Sequence, residues 1–179
     1  MYFFTSDEHL GHGNIIKYCK RPFQHVKEMD EEIIKRFNEK VTKDDITIHG
    51  GDFSLHSQMR FVLEKYVSKL NGNHIFIRGS HDKWMDKMYH EILEKTINGQ
   101  VIVVSHYAMR VWPRSHYGSW QLYGHSHGGL PPVGKQWDIG VDNNNFYPVS
   151  FDELVEIMKN QPDNFNLIKK EKTNEQRKC

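Results

Sequence analysis

The chain has 179 residues, 37% hydrophobic and 26% charged, with a formal net charge of +1. Such a length supports one domain with a substantial core, and the balance is globular rather than disordered. The near-neutral charge gives no field for a nucleic-acid backbone or an acidic membrane, so nucleic acid is a weakly supported partner and a membrane is not expected; a small anion needs only a local positive site.

No run approaches the ~18 apolar residues of a membrane span. The start of the chain, Met1–Asp7, lacks the basic and apolar regions of a signal peptide. Cys19 and Cys179 do not make a disulfide framework, so a cytoplasmic setting is expected. Histidine is heavily used, 12 residues of 179, which points to metal or acid–base chemistry only where the residues sit together.

Tyr2–Ser6 is a β-prone run leading into Asp7-Glu8-His9. With a strand period of two, Asp7 and His9 share a side and offer one ion an oxygen and a nitrogen. Asn14–Tyr18 is predicted as a short helical turn, broken after Arg21-Pro22. Met29, Ile33, Phe37 and Val41 mark an amphipathic helix over Lys27–Val41. Asp45–His49 is a second β-prone run, in which His49 is expected to pack or hydrogen-bond within the strand; Gly50-Gly51 and Asp52 follow. Ser57–Leu70 is a predicted helix stopped by Asn71-Gly72. His74–Arg78 is a third strand, followed by Gly79-Ser80-His81-Asp82. The glycine lets the chain turn, and polar residues then stand where α/β sheets hold ligands.

Lys83–Tyr89 reads as a short helix or loop. Tyr89–Thr96 and Gln100–Ser105 flank Asn98-Gly99, a hairpin signal. The second hairpin strand ends in Ser105-His106. Trp112–Tyr117 with Trp120 is aromatic and basic and could stack a base, although such aromatics are more often core. Gln121–Tyr123 is a short strand before Gly124-His125-Ser126-His127, and Gln136–Val141 is the last predicted strand. Ser150–Lys159 reads as a helix capped by Ser150 and Glu153. Residues 1–161 read as one domain and 162–179 as a polar tail. Strand–helix alternation followed by consecutive strands predicts an α/β fold of two packed mixed β-sheets flanked by helices.

Five strand-like runs thus end in metal-ligand residue types: Asp7 with His9, Asp52, Ser80 with His81, His106, and His125 with His127. Histidine nitrogens and carboxylate oxygens without cysteine suit Mn²⁺, Fe²⁺, Zn²⁺ or Ni²⁺, with Mn²⁺ favoured. There are too many ligands for one ion, and two ions about 3.5–4 Å apart would use them.

Asp7-x-His9, Gly51-Asp52, Gly79-Ser80-His81-Asp82, Ser105-His106 and Gly124-His125-Ser126-His127 resemble the five ordered motifs of the calcineurin-like metallophosphoesterases. The small single-domain type of bacteria and phages is the nearest form, and the likeness spans residues 7 to 127. The resemblance implies a metal-dependent phosphoric ester hydrolase, with phosphodiesters favoured. One metal would be held by Asp7, His9 and His127, with Asp52 bridging. The other would be held by Asp52, His106, His125 and the residue at position 80. His81 would protonate the leaving oxygen, oriented by Asp82, while a hydroxide held between the metals attacks phosphorus in line. As a residue type, histidine titrates near neutrality, which suits a proton donor.

The chain departs from the family at one ligand, carrying Ser80 where the family has asparagine. A weakened second metal, a water in the gap and a deliberate change that slows turnover are the open accounts. Arg78, Arg110 and Arg114 are candidates to hold phosphate oxygens, joined by His12 and Asn14 of the Gly11–Asn14 run. The expected substrate is a small phosphorylated molecule, a nucleotide or cyclic nucleotide. The alternatives are a phosphomonoesterase acting on nucleotides or phosphoproteins, and a catalytically weakened nucleotide-binding module. A homodimer is compatible with the sequence.

Overall fold

The computed structural model describes residues 1–86 and 89–168. Two four-stranded mixed sheets, flanked by helices, make up the fold. The first has the order β3-β2-β1-β8: β1 (Tyr2–Thr5), β2 (Ile46–His49) and β3 (Asn73–Phe76) run parallel, and β8 (Val149–Ser150) is antiparallel at the edge. The second has the order β4-β5-β6-β7: β4 (Ile92–Ile97) pairs antiparallel with β5 (Gln100–Ser105), while β5, β6 (Trp120–Tyr123) and β7 (Gln136–Asp138) run parallel. The two-sheet α/β architecture expected from the sequence is therefore present.

Strand β1 shows why both faces of the first sheet are apolar. Phe4 enters a buried cluster shared by the sheets, with Ile48, Val104 and Leu122. Phe3 points the other way, onto Phe37 and Val41 at the C-terminal end of α2 (Val26–Lys40). Strands covered on both sides read as continuous apolar runs, which is what Tyr2–Phe4 is. A second cluster holds α1 (Gly13–Tyr18), α2 and α3 (Met59–Lys65) together through Ile15, Met29, Ile33 and Val62. The last helix, α4 (Phe151–Asn160), carries the expected reciprocal cap between Ser150 and Glu153.

Three elements differ from expectation. The helix predicted over Ser57–Leu70 forms only over α3; Tyr66 caps it with right-handed backbone (φ −117°, ψ −60°) and its hydroxyl donates to Asp30 Oδ2 at 3.2 Å, after which a 3₁₀ turn, Val67–Lys69, follows. Strand β8 is two residues long, too short for any periodicity to show. The last predicted strand, Gln136–Val141, ends as β7 at Asp138; past it, Gly140 bridges to Ser6 and so ties the second sheet to the end of β1. Within 162–168, Asn164 is buried and bonds Ser115 O, Ser119 O and the Lys135 amide; the rest of the expected tail lies outside the described residues. No helix among the described residues is long and apolar enough to cross a membrane.

Candidate metal centre

The parallel strands place their C-terminal ends together, and the loops beyond them are stitched by backbone bonds. Asp7 N donates to Gly51 O (2.9 Å), His9 N to Asp52 O (3.0 Å) and Gly124 N to His106 O (3.0 Å). Approach this close requires glycine at two points. A Cβ on Gly79 would collide with Asp52, and one on Gly124 with Ser6 and Asp7. Asp7, His9, Asp52, His125 and His127 all hold left-handed backbone, with φ between 47° and 65°. L-residues avoid that region unless the surroundings enforce it, and such outliers gather where function imposes geometry.

Asp7, His9 and His127 bring ligand atoms within 4.8 Å of one another, and so do Asp52, His106 and His125. The two groups meet at Asp52, whose Oδ2 is 3.7 Å from His9 Nε2 and 3.3 Å from His106 Nε2. Both of those nitrogens are buried and make no hydrogen bond among the described residues.

The opposite ring nitrogens explain the arrangement. His106 Nδ1 donates to Gly50 O at 3.2 Å. His127 Nδ1 lies 2.6 Å from Asp142 Oδ2, and His9 Nδ1 lies 3.2 Å from His12 Nδ1. A carbonyl on Nδ1 makes that nitrogen of His106 the donor and leaves its Nε2 a bare lone pair facing the centre, and the Nδ1 partners of His9 and His127 orient those rings in the same manner, as in metal-ligating histidines.

Electrostatics fits a cation here. Burial pushes Asp7 up to about 7 and pulls His9 down to about 3. Both shifts report sites starved of solvation, and a bound cation would relieve the Asp7 carboxylate. Burial also acts to raise Asp52, but His106, the His81 amide and His9 reverse it and hold this carboxyl below the usual range. Nitrogen and oxygen donors, orphaned lone pairs and a desolvated carboxylate together match a borderline divalent ion.

Two residues the sequence reading missed buttress the first group. The buried Arg21 guanidinium binds Asp142 with both Nε (2.8 Å) and Nη2 (2.7 Å), and also donates to Asp7 O (2.7 Å) and Glu8 O (3.0 Å). Against the cost of burial, His127 and Arg21 keep Asp142 below the ordinary carboxylate range. Arg21 and Asp142 are 121 positions apart, so no local pattern reveals the pair. The Cys19 thiol comes near His127 and Asp142 as well, but those two are already bonded to each other and Asp142 to Arg21.

Other expected residues fall into place or out of it. His81 stands at the rim, its side chain 46% exposed and its Nε2 4.0 Å from Asp52 Oδ2, while its amide donates to Asp52 Oδ1 at 2.7 Å. His12 joins it, ring centroids 5.9 Å apart. Ser80 Oγ lies 3.2 Å from Asp52 Oδ2.

Asp82 is not the partner of the His81 ring. Its buried carboxylate accepts from the amides of Asp52, Phe53, Ser54 and Gly79 and from Trp84 Nε1. It shapes the loop carrying Asp52, because a carboxylate turned inward must satisfy itself on backbone donors.

Asn14 is exposed in the first turn of α1, with no bond to the centre. Arg110 lies over the Phe165 ring, 4.4 Å from its centroid. Arg114 pairs with Glu94 (3.0 Å) and lines a hollow with Gly99 and Gln100, at the end of β5 opposite His106. Arg78 remains beside the centre, in a cavity shared with Ser80 and His106. The two tryptophans of the aromatic stretch are structural: Trp112 is buried with Nε1 donating to Ser119 O, and Trp120 stacks on Phe151, whereas Tyr117 is exposed.

Fold and site together define a two-sheet α/β protein whose strand ends carry a histidine–aspartate cluster able to hold divalent metal. No family model matches the chain. It is 33% identical over 164 residues to the uncharacterized protein MJ1445 of Methanocaldococcus jannaschii, covering 88% of this chain and 90% of that one, and it belongs to the same family. The solved structure of a protein of unknown function, AQ665 from Aquifex aeolicus, has a TM-score of 0.67 at 22% identity, over 88% of this chain and 98% of that one, and shares the fold. A structure from Streptococcus pneumoniae described as a predicted phosphoesterase reaches a TM-score of 0.36 at 18% identity, over 78% and 70% of the two chains, too slight a likeness to bear on function.

Proposed function

We propose that the protein is a metal-dependent phosphoesterase that hydrolyses a phosphodiester of a small molecule. The observation that carries this reading is the pair of ligand groups facing each other across Asp52, with the Nε2 atoms of His9 and His106 buried and unpartnered. The order of the motifs along the chain, resembling the calcineurin-like metallophosphoesterases, supports it. Asp7, His9 and His127 would hold one ion, His106 and His125 the other, with Asp52 between them. Divalent ions bound there supply Lewis-acid activation of water and neutralise phosphoryl oxygens.

The chain's own residues do the rest. The His81 amide bond to Asp52 fixes the base of the His81 ring at the open rim. From there the ring can donate a proton to a departing alkoxide, a poor leaving group that most needs an acid. His12 stands next to it and closes that side of the rim. Asp82 holds the Asp52 loop, and Arg21 with Asp142 holds the His127 ring.

The weakened binding module remains as a second reading because of Ser80. Its hydroxyl touches Asp52, yet it is a shorter and poorer neutral donor than an amide carbonyl. Hydrolysis of bis-p-nitrophenyl phosphate with added Mn²⁺, beside a metal count by mass spectrometry, separates the readings. Two bound ions with turnover support the phosphoesterase; two bound ions without turnover, in the chain with Ser80 and in Ser80→Asn alike, rule it out.

A further inference from the structure

We propose that the cavity beside the second ligand group seats the nucleoside of the substrate, with Arg78 and Tyr107 selecting it. This rests on the phosphoesterase reading and extends it to a substrate class. The cavity, about 340 Å³, is lined by Arg78 and Ser80, by Glu91 and Ile92, and by His106 and Tyr107. It lies where the edge strands β3 and β4 of the two sheets come together, with the Arg78 amide bonded to His90 O at 2.9 Å. Because Ser80 and His106 belong to the centre, the space continues the centre on one side. Its size is that of a small-molecule site and exceeds what one phosphoryl group fills.

The lining has the chemistry of a flat ring with a polar edge. Arg78 forms no ion pair among the described residues, and its buried Nε has no acceptor there. A guanidinium N–H in that position calls for an acceptor. Glu91 faces the same cavity and forms no ion pair among the described residues. A donor and an acceptor of opposite charge disfavour a second phosphate and favour a neutral group bearing both acceptors and donors.

Tyr107 is 53% exposed, its ring 5.0 Å from His106 and 4.5 Å from His125. Ile92, 47% exposed, adds an apolar wall. An exposed aromatic ring beside an apolar wall, with a donor and an acceptor at hand, is the setting that holds a base by stacking and reads its edge.

The test is calorimetric binding to the protein in Mn²⁺ buffer of thymidine 5′-monophosphate, inorganic phosphate and inorganic pyrophosphate. It is paired with kcat/KM for thymidine 5′-p-nitrophenyl phosphate against bis-p-nitrophenyl phosphate. The nucleotide is expected to bind about 10-fold more tightly than phosphate, the scale of one base–aromatic stack. Arg78→Met and Tyr107→Ala should each remove most of that advantage and lower the kcat/KM ratio, through KM. Tyr107 lies on the surface, so Tyr107→Ala keeps the test open if Arg78→Met fails to fold. Equal affinity for nucleotide and phosphate, or a preference for pyrophosphate, overturns the proposal. Nucleotide preference without hydrolysis of either ester would keep the nucleoside site and discard the phosphoesterase reading.

Discussion

The two ligand groups are built from the same residue types and are supported differently. In the first, Asp7 and His9 are buried, His127 is pinned by Asp142, and Arg21 ties Asp142 to the backbone of Asp7 and Glu8. In the second, Asp52 and His106 are buried but His125 is exposed, and a serine hydroxyl takes the place that the resemblance assigns to an amide. Oriented ligands lose little freedom on binding, whereas exposed ones must be ordered first. The first group should therefore bind an ion tightly and the second loosely, which would make the second the limiting one for the proposed activity.

The largest test of this comparison bears on neither group directly. His81→Ala is expected to lower kcat for bis-p-nitrophenyl phosphate by about 10²–10⁴-fold, the usual worth of a positioned acid, with both ions still bound by metal analysis. Loss of an ion in that variant would mean that His81 belongs to the ligand set.

Next comes Asp142→Ala, which frees the His127 ring. Titration calorimetry should show the tighter of two Mn²⁺ affinities falling by about 10–100-fold, with the weaker one little changed; the reverse pattern would break the assignment of Asp142 to the first group. Ser80→Asn works on the other side. It is expected to tighten the weaker Mn²⁺ site by a few-fold and raise turnover at limiting metal, and no change in either would remove Ser80 from the account.

The smallest effect is a control far from the centre. The N-terminal ammonium of Met1 and the hydroxyl and amide of Thr42 hold Asp45 down to about 2. A depressed folded value means stability that is present above the ordinary carboxylate range and lost as pH falls towards 2. Thermal melts should show Asp45→Asn below the natural chain near pH 6, with the gap closing towards pH 2 and metal affinity unaltered throughout.

Much of this was legible in the sequence, for physical reasons. Strand ends announce themselves through glycine beside histidine or aspartate, and the structure gathers those ends into one centre. His49 is expected from sequence to pack or hydrogen-bond within its strand, and its ring nitrogens are both engaged, by Glu8 at 2.6 Å and His74 at 3.1 Å, between the Phe37 and Phe76 rings. A histidine with both nitrogens satisfied has nothing left for an ion, whereas His9 and His106 do.

What sequence could not show was pairing at a distance. Arg21 carries no sign of Asp142. Asp82 looks like a partner for His81 only because the two are adjacent, although its carboxylate turns to backbone amides. Among three arginines of equal appearance, Arg78 stays beside the centre because β3 ends there, while Arg114 is drawn to Glu94.

The left-handed backbone at five of the proposed ligands carries a cost that has nothing to do with ions. Each such residue gives up roughly 1–2 kcal/mol relative to a relaxed conformation. Glycine at Asp52 or His125 would relieve part of that while abolishing ligation, so a selection for thermal resilience alone would erode this centre one loop at a time. The centre's persistence in a lineage would then record selection for activity rather than for durability.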